Sequence, residues 1–456
     1  MTEPVNLREA AREIFETALR HVDAGEAVRR TVRLSGSLLT VADTLIDLAS
    51  RGSRVYTVAV GKAAPAMAAA LDDVLGHRIT AGVISGPAIA QRQSQAARSP
   101  APERWQFFAG GHPQPNQQSL SAAQACFDLL RHAELERALV LFLISGGGSA
   151  MMEWPIDEQI TLADLRESNR LLVSCGASIA EINSVRRAIS AVKGGRLATQ
   201  APHSAQITLI ISDTNPGDEA NVASGPTIEA PADAHDARAV VASYKSLAQL
   251  PVSILKAINN AVPRAPGQLA ESQPRSHYVL LDNRTALEAA AEVARRYGFL
   301  TEIAFDIVEP EIDEGCRMLL SRLAALRTQN AGTRGPVCLI SGGEFLCPLR
   351  GTGVGGRNAE TVLRCAMALD TQSRQLSQGR QVVVLSAGTD GIDGNSPAAG
   401  AIADTTTLSR ARALDLDAHS FLEASDAFNF FHRLGDAVMT GPTGTNVRDV
   451  RIVLAH

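Results

Sequence analysis

The sequence predicts an α/β protein organised around a mostly parallel sheet. Three observations carry this. First, short apolar runs stop abruptly at Gly, Ser, Lys or Asp: 55–62 (VYTVAVGK), 139–150 (LVLFLISGGGSA), 207–213 (ITLIISD), 337–344 (VCLISGGE) and 382–391 (VVVLSAGTDG). Such runs read as buried parallel strands entering tight turns. Second, segments of helical periodicity alternate with them, as βαβ units require. Third, the 456 residues are 45% hydrophobic but only 4% aromatic, with 36 glycines, which suits closely packed helices on a sheet.

Leu7, Ala11, Ile14, Phe15, Ala18, Leu19 and Val22 recur at helical spacing and open the chain with a surface helix. A second helix is expected over 38–49. Strand 54–60 turns through Gly61-Lys62-Ala63-Ala64-Pro65 into an Ala-rich helix ending near 75, with proline at the helix start. Strand 79–85, a polar connection 91–101 and a short strand with a stiff loop at 107–116 follow. A helix over 119–133, N-capped by a serine, precedes the strand 139–144. Helices are expected over 162–173 and 184–199, then strand 207–211 and a long loop 212–227. The composition break at 226–234, with Pro231 inside it, places a boundary between domains 1–230 and 231–456. Beyond it, helices (237–247, 252–261, 284–297, 310–328, 358–370) alternate with strands (277–282, 299–305), and the chain closes on an aromatic helix and a strand over 450–454.

Composition narrows the function. A formal net charge of -5 and no basic run argue against nucleic acid. No apolar run approaches the length of a membrane span, and the N-terminus lacks a signal peptide's apolar block. Six cysteines without C-x-x-C point to a reduced, cytoplasmic protein, and the scattered histidines form no metal-ligand pattern.

Several motifs carry chemistry. Three glycines after Ser145 (Gly146, Gly147, Gly148) bare the main chain at a strand's carboxyl end, where α/β sheets bind ligands, and Ser149 adds a hydroxyl. Residues 351–356 (GTGVGG) fit G-x-G-x-x-G, but residues 342–350 separate them from the strand before; phosphate binding beside Arg357 is favoured over dinucleotide binding, with a hairpin tip as the bland reading. Gly61-Lys62 is not a Walker motif, since Tyr56 and Ala63 stand where glycine and Ser/Thr are needed; a lysine at a strand end remains a good phosphate ligand. Asn183, Arg186 and Lys193 fall near one helical stripe, which is either a solvated face or an anion site. Among the strand-end acids Asp213, Asp218, Asp390 and Asp393, one or two suit Mg²⁺ and the others suit turns. Residues 147–151 fail the serine-hydrolase elbow.

With VAVGKAAPAM (58–67), GGHPQPN (110–116), SGGGSAMM (145–152), EINSVRRAISAVKGGRLA (181–198), NVASGPT (221–227), SGGE (341–344), GTGVGGRNAE (351–360), AGTDGIDGNSPAAGA (387–401) and GPTGTNV (441–447) in this order, the chain resembles the glycerate 2-kinases named for their MOFRL domain. The resemblance implies transfer of the γ-phosphoryl of ATP to the 2-hydroxyl of D-glycerate with a divalent cation. It implies a large Rossmann-like domain, a smaller α/β domain and a site in the cleft between, with Lys62 and Arg357 as main catalytic residues. On this basis Lys62, Arg357 and Asp213 are expected to be catalytic, and Asp213 and Asp390 to hold Mg²⁺ or another divalent cation. Ser145, Gly146, Gly147, Gly148, Ser149, Gly353, Gly355, Gly356, Glu344 and Asn358 are expected at ATP phosphates, and Asn183, Arg186, Lys193 and Lys62 at the glycerate. A monomer or homodimer is expected. Departures from the family pattern are a Gly217-Asp218 pair set one residue late, Ala188 in place of a common histidine, and Phe345-Leu346-Cys347 in place of small hydroxyl residues. Because members have been labelled hydroxypyruvate reductases, an NAD(P)H-dependent reductase is the first rival. It needs an acid about 20 residues past the glycine fingerprint, and Asp370 ends a helix instead. A kinase of a related small sugar acid and a non-catalytic sensor are the others.

Overall fold

The computed structural model describes residues 6–49, 54–88, 103–231, 234–261, 275–329, 335–375 and 381–456; the expected connection 91–101 lies outside them. The chain divides into two compact units. One is Ala24–Leu281; the other joins the N-terminal segment through Asp23 to Asp282–His456.

The first unit begins with a small antiparallel sheet of β1 (Val32–Ser35), β2 (Leu38–Val41) and β3 (Thr44–Asp47), where the sequence reads as a helix over 38–49. Two-residue turns decide the matter. Register pairs Ser35 with Leu38 and Val41 with Thr44, and the first turn residues, Gly36 and Ala42, take positive φ of 63° and 52°. That geometry matches the twist of a hairpin and interrupts a helix.

The main sheet comprises β4 (Val55–Val60), β5 (Ile79–Gly86), β6 (Trp105–Ala109), β7 (Leu139–Ser145), β8 (Ala205–Ile211) and β9 (Arg275–Leu281). All pairs are parallel, in the order β6-β5-β4-β7-β8-β9. Every residue of β4 and β7 is buried, so both faces are covered. Tyr56, Val58, Val60, Val140, Phe142 and Ile144 share a core with Ala122, Cys126 and Leu130 of helix Gln117–Glu136. Each such large side chain contributes roughly 1.5–3 kcal/mol on burial. That helix is capped by Asn116, not by a serine; Ser119 sits at the third position and completes the capping box. Helices Leu162–Ser174, Ile179–Ile189, Ala237–Ser243 and Val252–Asn260 enclose a separate core around Leu172, Val185, Leu247 and Ile254.

The compact unit therefore runs past the boundary expected near 230. Strand β9 is the sixth member of the parallel sheet and draws 231–281 into it. The first 23 residues leave it for the same kind of reason. Helix Leu7–His21 buries Leu7, Ala11, Ile14, Phe15 and Ala18 within the other unit, where Arg8 pairs with Asp404 and Asp436, and Tyr297 meets Glu13.

The second unit holds β10 (Leu300–Ala304), β11 (Val337–Ser341), β12 (Val382–Gly388), β13 (Gly400–Asp404), β14 (Ala437–Val438) and β15 (Asp449–Ala455), in the order β10-β11-β15-β12-β13-β14. Only β10 and β11 run parallel. The parallel sheet expected from the sequence is that of the larger domain, and there it holds. The chain reaches β13 from β12, and β15 after the 441–447 loop, without a crossover helix, and antiparallel pairing needs none. Leu319, Leu323, Val362, Leu363, Phe430 and Val453 lie at the centre of this unit's core.

Candidate active site

In chain order β4, β5 and β6 build the larger sheet one way, and β7, β8 and β9 build it the other. This is the doubly wound 3-2-1-4-5-6 order, and its switch point lies between β4 and β7, where such sheets bind ligands. The residues leaving those two strands are Gly61-Lys62 and Gly146-Gly147-Gly148-Ser149.

The two turns are bonded together. The Lys62 amide donates to the Gly146 carbonyl at 2.8 Å, and the Ala63 amide to Ser145 Oγ at 3.0 Å. Gly61 has φ +117°, and a Cβ there would lie 2.3 Å from both Ser145 oxygens. Gly147 has φ +79°, and a Cβ there would lie 3.1 Å from the His112 ring and 3.2 Å from Lys62 Cγ. Glycine is thus required for the conformation at both positions, and Lys62 and His112 flank the bare main chain of Gly147.

A polar chain backs this turn. Ser149 Oγ and Ser224 Oγ are 2.9 Å apart; Ser224 donates to Asn183 Oδ1 at 2.8 Å; Asn183 donates to Asn221 Oδ1, which also accepts from Arg187. Ala223 and Ser224 hold φ of +52° and +62°, a left-handed pair costing roughly 1–2 kcal/mol per residue. Asn183, expected at the glycerate, is buried and braces this turn through these bonds. Lys193 differs too. The helix expected over 184–199 is Ile179–Ile189, started by the Ser178–Glu181 capping box. Lys193 lies beyond its end, 1% exposed, paired to Glu153, whose other oxygen accepts from Ser190. Arg186, of the expected stripe, lines a cleft with Ser149, Asn169 and Pro115; it donates to Asn169 Oδ1 at 2.6 Å. Asp213 follows β8, the neighbour of β7.

In the second unit Arg357 begins helix Arg357–Gln375. Its Nε and a terminal nitrogen reach both oxygens of Asp449 at 2.6 and 3.1 Å, and it pairs with Glu344 at 2.8 Å. Asn358, expected at phosphate, is buried instead: it donates to Asp449 at 2.9 Å and accepts from Ser386 at 2.6 Å. The loop before the helix is likewise internally bonded. The amides of Gly353, Val354 and Gly355 donate to Ala424 O, Asp426 Oδ1 and Asn395 Oδ1. The loop and its bonds therefore position Arg357, and the expected phosphate cradle at Gly353 and Gly355 is taken up by protein acceptors. Asp390 accepts from the Ile392 amide, a turn contact.

Burial works to raise the Asp449 carboxyl, and the Arg357 guanidinium overrides it, holding it below the ordinary value. The same partnership raises Arg357 against its own burial. Asp393 receives the Asn358 and Ala359 amides at 3.0 and 2.8 Å; burial nonetheless pushes its carboxyl up to about 6 from 3.8. The folded state thus binds this proton more tightly than the unfolded chain. The associated stability is complete below pH 3.8 and is lost as pH rises to about 6. Asp393→Asn keeps one cap oxygen and should flatten the stability–pH slope across that window in denaturant titrations; an unchanged slope assigns it elsewhere.

Asp449, Glu153, Ser224 and Asn221 were not singled out in the sequence. Asp449 and Glu153 are single acids without a motif, and only the chain's return brings each to its cation.

The larger unit is thus a doubly wound, Rossmann-like domain, accompanied by a second α/β domain with a mixed sheet. Residues 10–259 match the family described as a domain of unknown function, DUF4147, and residues 337–449 match the MOFRL family. The chain is 32% identical to the D-glycerate 2-kinase of Thermotoga maritima across all of both chains. It is 35% identical to a putative hydroxypyruvate reductase of Agrobacterium vitis, over 88% of this chain and 99% of that one. The crystal structure of the Thermotoga maritima glycerate kinase superposes with a TM-score of 0.78 at 30% identity, over 99% of this chain and 100% of that one. The chain belongs to the glycerate 2-kinase family that combines these two domains.

Proposed function

We propose that the chain is an ATP-dependent kinase that phosphorylates D-glycerate at its 2-hydroxyl. The observation that carries this reading is the lysine and bare glycine turn at the topological switch point. In support, a guanidinium in the other unit is held by a buried carboxylate. Phosphoryl transfer asks a protein chiefly for positioning and charge neutralisation. Lys62 and Arg357 are the catalytic cations of this reading, and the main chain of Gly146 to Ser149 meets phosphate oxygens. Arg186, with Asn169 and Ser149 in its cleft, takes the glycerate carboxylate, since guanidinium pairs well with a planar anion.

The family reading implies Mg²⁺ or another divalent cation. Mg²⁺ needs only one or two carboxylates beside substrate phosphates. No group of three or more His, Cys, Asp or Glu suited to a metal occurs among the described residues. Asp213 at the mouth of β8 fits the modest requirement, and Asp390 is second. When bound, the cation neutralises phosphate charge. No helix among the described residues is long and apolar enough to cross a membrane.

ADP formation with ATP and D-glycerate, with the product's phosphorylated carbon read by NMR, tests the reading. The expected result is 2-phosphoglycerate. Oxidation of NADH by hydroxypyruvate without ADP formation would overturn it.

A further inference from the structure

The loop 110–116 carries His112 and has no role so far. Its fixation is unusual for an exposed loop. Asn169 donates to the Pro113 carbonyl at 2.9 Å, and Arg166 Nε to the Pro115 carbonyl at 2.8 Å. The Gly111 amide donates to Ser119 Oγ at 3.0 Å, and Asn116 Nδ2 to the Ala109 carbonyl at 3.0 Å. Four hydrogen bonds at both ends of the loop hold the imidazole beside Gly147 and the Lys62 stem, at the switch point of the sheet.

A kinase must dispose of the proton on the acceptor hydroxyl. At this turn the Lys62 ammonium and the backbone amides only donate. The imidazole is the side chain beside them that takes up and returns a proton near neutral pH. We propose that His112 is a catalytic residue that accepts this proton. The inference rests on the kinase reading above.

In the step, the 2-hydroxyl oxygen forms a bond to the γ-phosphorus. The bond from that phosphorus to the bridging oxygen breaks, and its electron pair leaves on ADP. The hydroxyl proton passes to a ring nitrogen of His112 and then to solvent. Lys62 from the β4 turn and Arg166 from helix Leu162–Ser174 are charged groups set against the loop, and Arg186 reaches it through Asn169.

The test compares wild type with His112→Asn and His112→Gln, two variants at an exposed position, in ADP formation with D-glycerate across pH. Loss of a general base is typically 10²–10⁴-fold in turnover. The expected result is a kcat fall in that range, with KM for ATP nearly unchanged and the acidic limb of the kcat profile lost. A kcat within about threefold of wild type, or an acidic limb retained in both variants, overturns the assignment while leaving the kinase reading intact. Absence of ADP formation by wild type itself overturns both.

Discussion

Lys62→Ala should lower kcat for phosphoryl transfer by about 10²–10³, the usual effect of removing one preorganised donor to transition-state charge. The backbone at this position is independent of the side chain: the Lys62 amide bonds to Gly146 O, and Ala63 to Ser145 Oγ, whatever residue 62 carries. The variant should therefore melt within a few degrees of wild type. Because the ammonium acts on charge that develops in the transition state, kcat and kcat/KM should fall together. Lys62→Arg should not restore the rate. The lysine stem lies against Gly147, and a wide planar guanidinium differs from a compact point charge there. A fall confined to KM would mean that Lys62 only helps binding.

Lys193→Met should destabilise the fold by about 3–5 kcal/mol, because it strands the Glu153 carboxylate in the interior. Lys193 is buried, and burial holds its ammonium below the ordinary value while Glu153 works the other way. Replacing both partners, Glu153→Leu with Lys193→Met, should recover most of the loss, since the pair's own net contribution is small once desolvation is counted. Thermal or denaturant melting of the two single variants and the double variant reads this directly. A Lys193→Met protein as stable as wild type, but with raised KM for D-glycerate, would assign Lys193 to the substrate contacts instead.

The larger sheet was legible because each strand is a short apolar run with its own stop, and because buried parallel strands need no alternation. The hairpins at 38–47 were not, since Leu38, Leu39, Val41, Leu45, Ile46 and Leu48 also satisfy a helical period. Positive φ at Ala42, inside that stretch, breaks it. The mixed second sheet escaped for a related reason: nothing in an apolar run such as 450–454 states its direction. At the site, glycine turns and the lysine between strands announce themselves locally. The bracing residues do not. Asp449 is 92 positions from Arg357, and Ser224 is 75 from Ser149. Asn183, Lys193 and Asn358 have the chemistry of ligand contacts, and in the structure each is buried and bonded to protein partners.

The proposed function rests on Lys62 and Arg357 both serving phosphoryl transfer. A double-mutant cycle on kcat, with Lys62→Ala, Arg357→Ala and both together, measures this. Residues that act as a unit on one transition state are strongly non-additive. The account predicts a double variant about as slow as either single variant. Effects that multiply in full would contradict it.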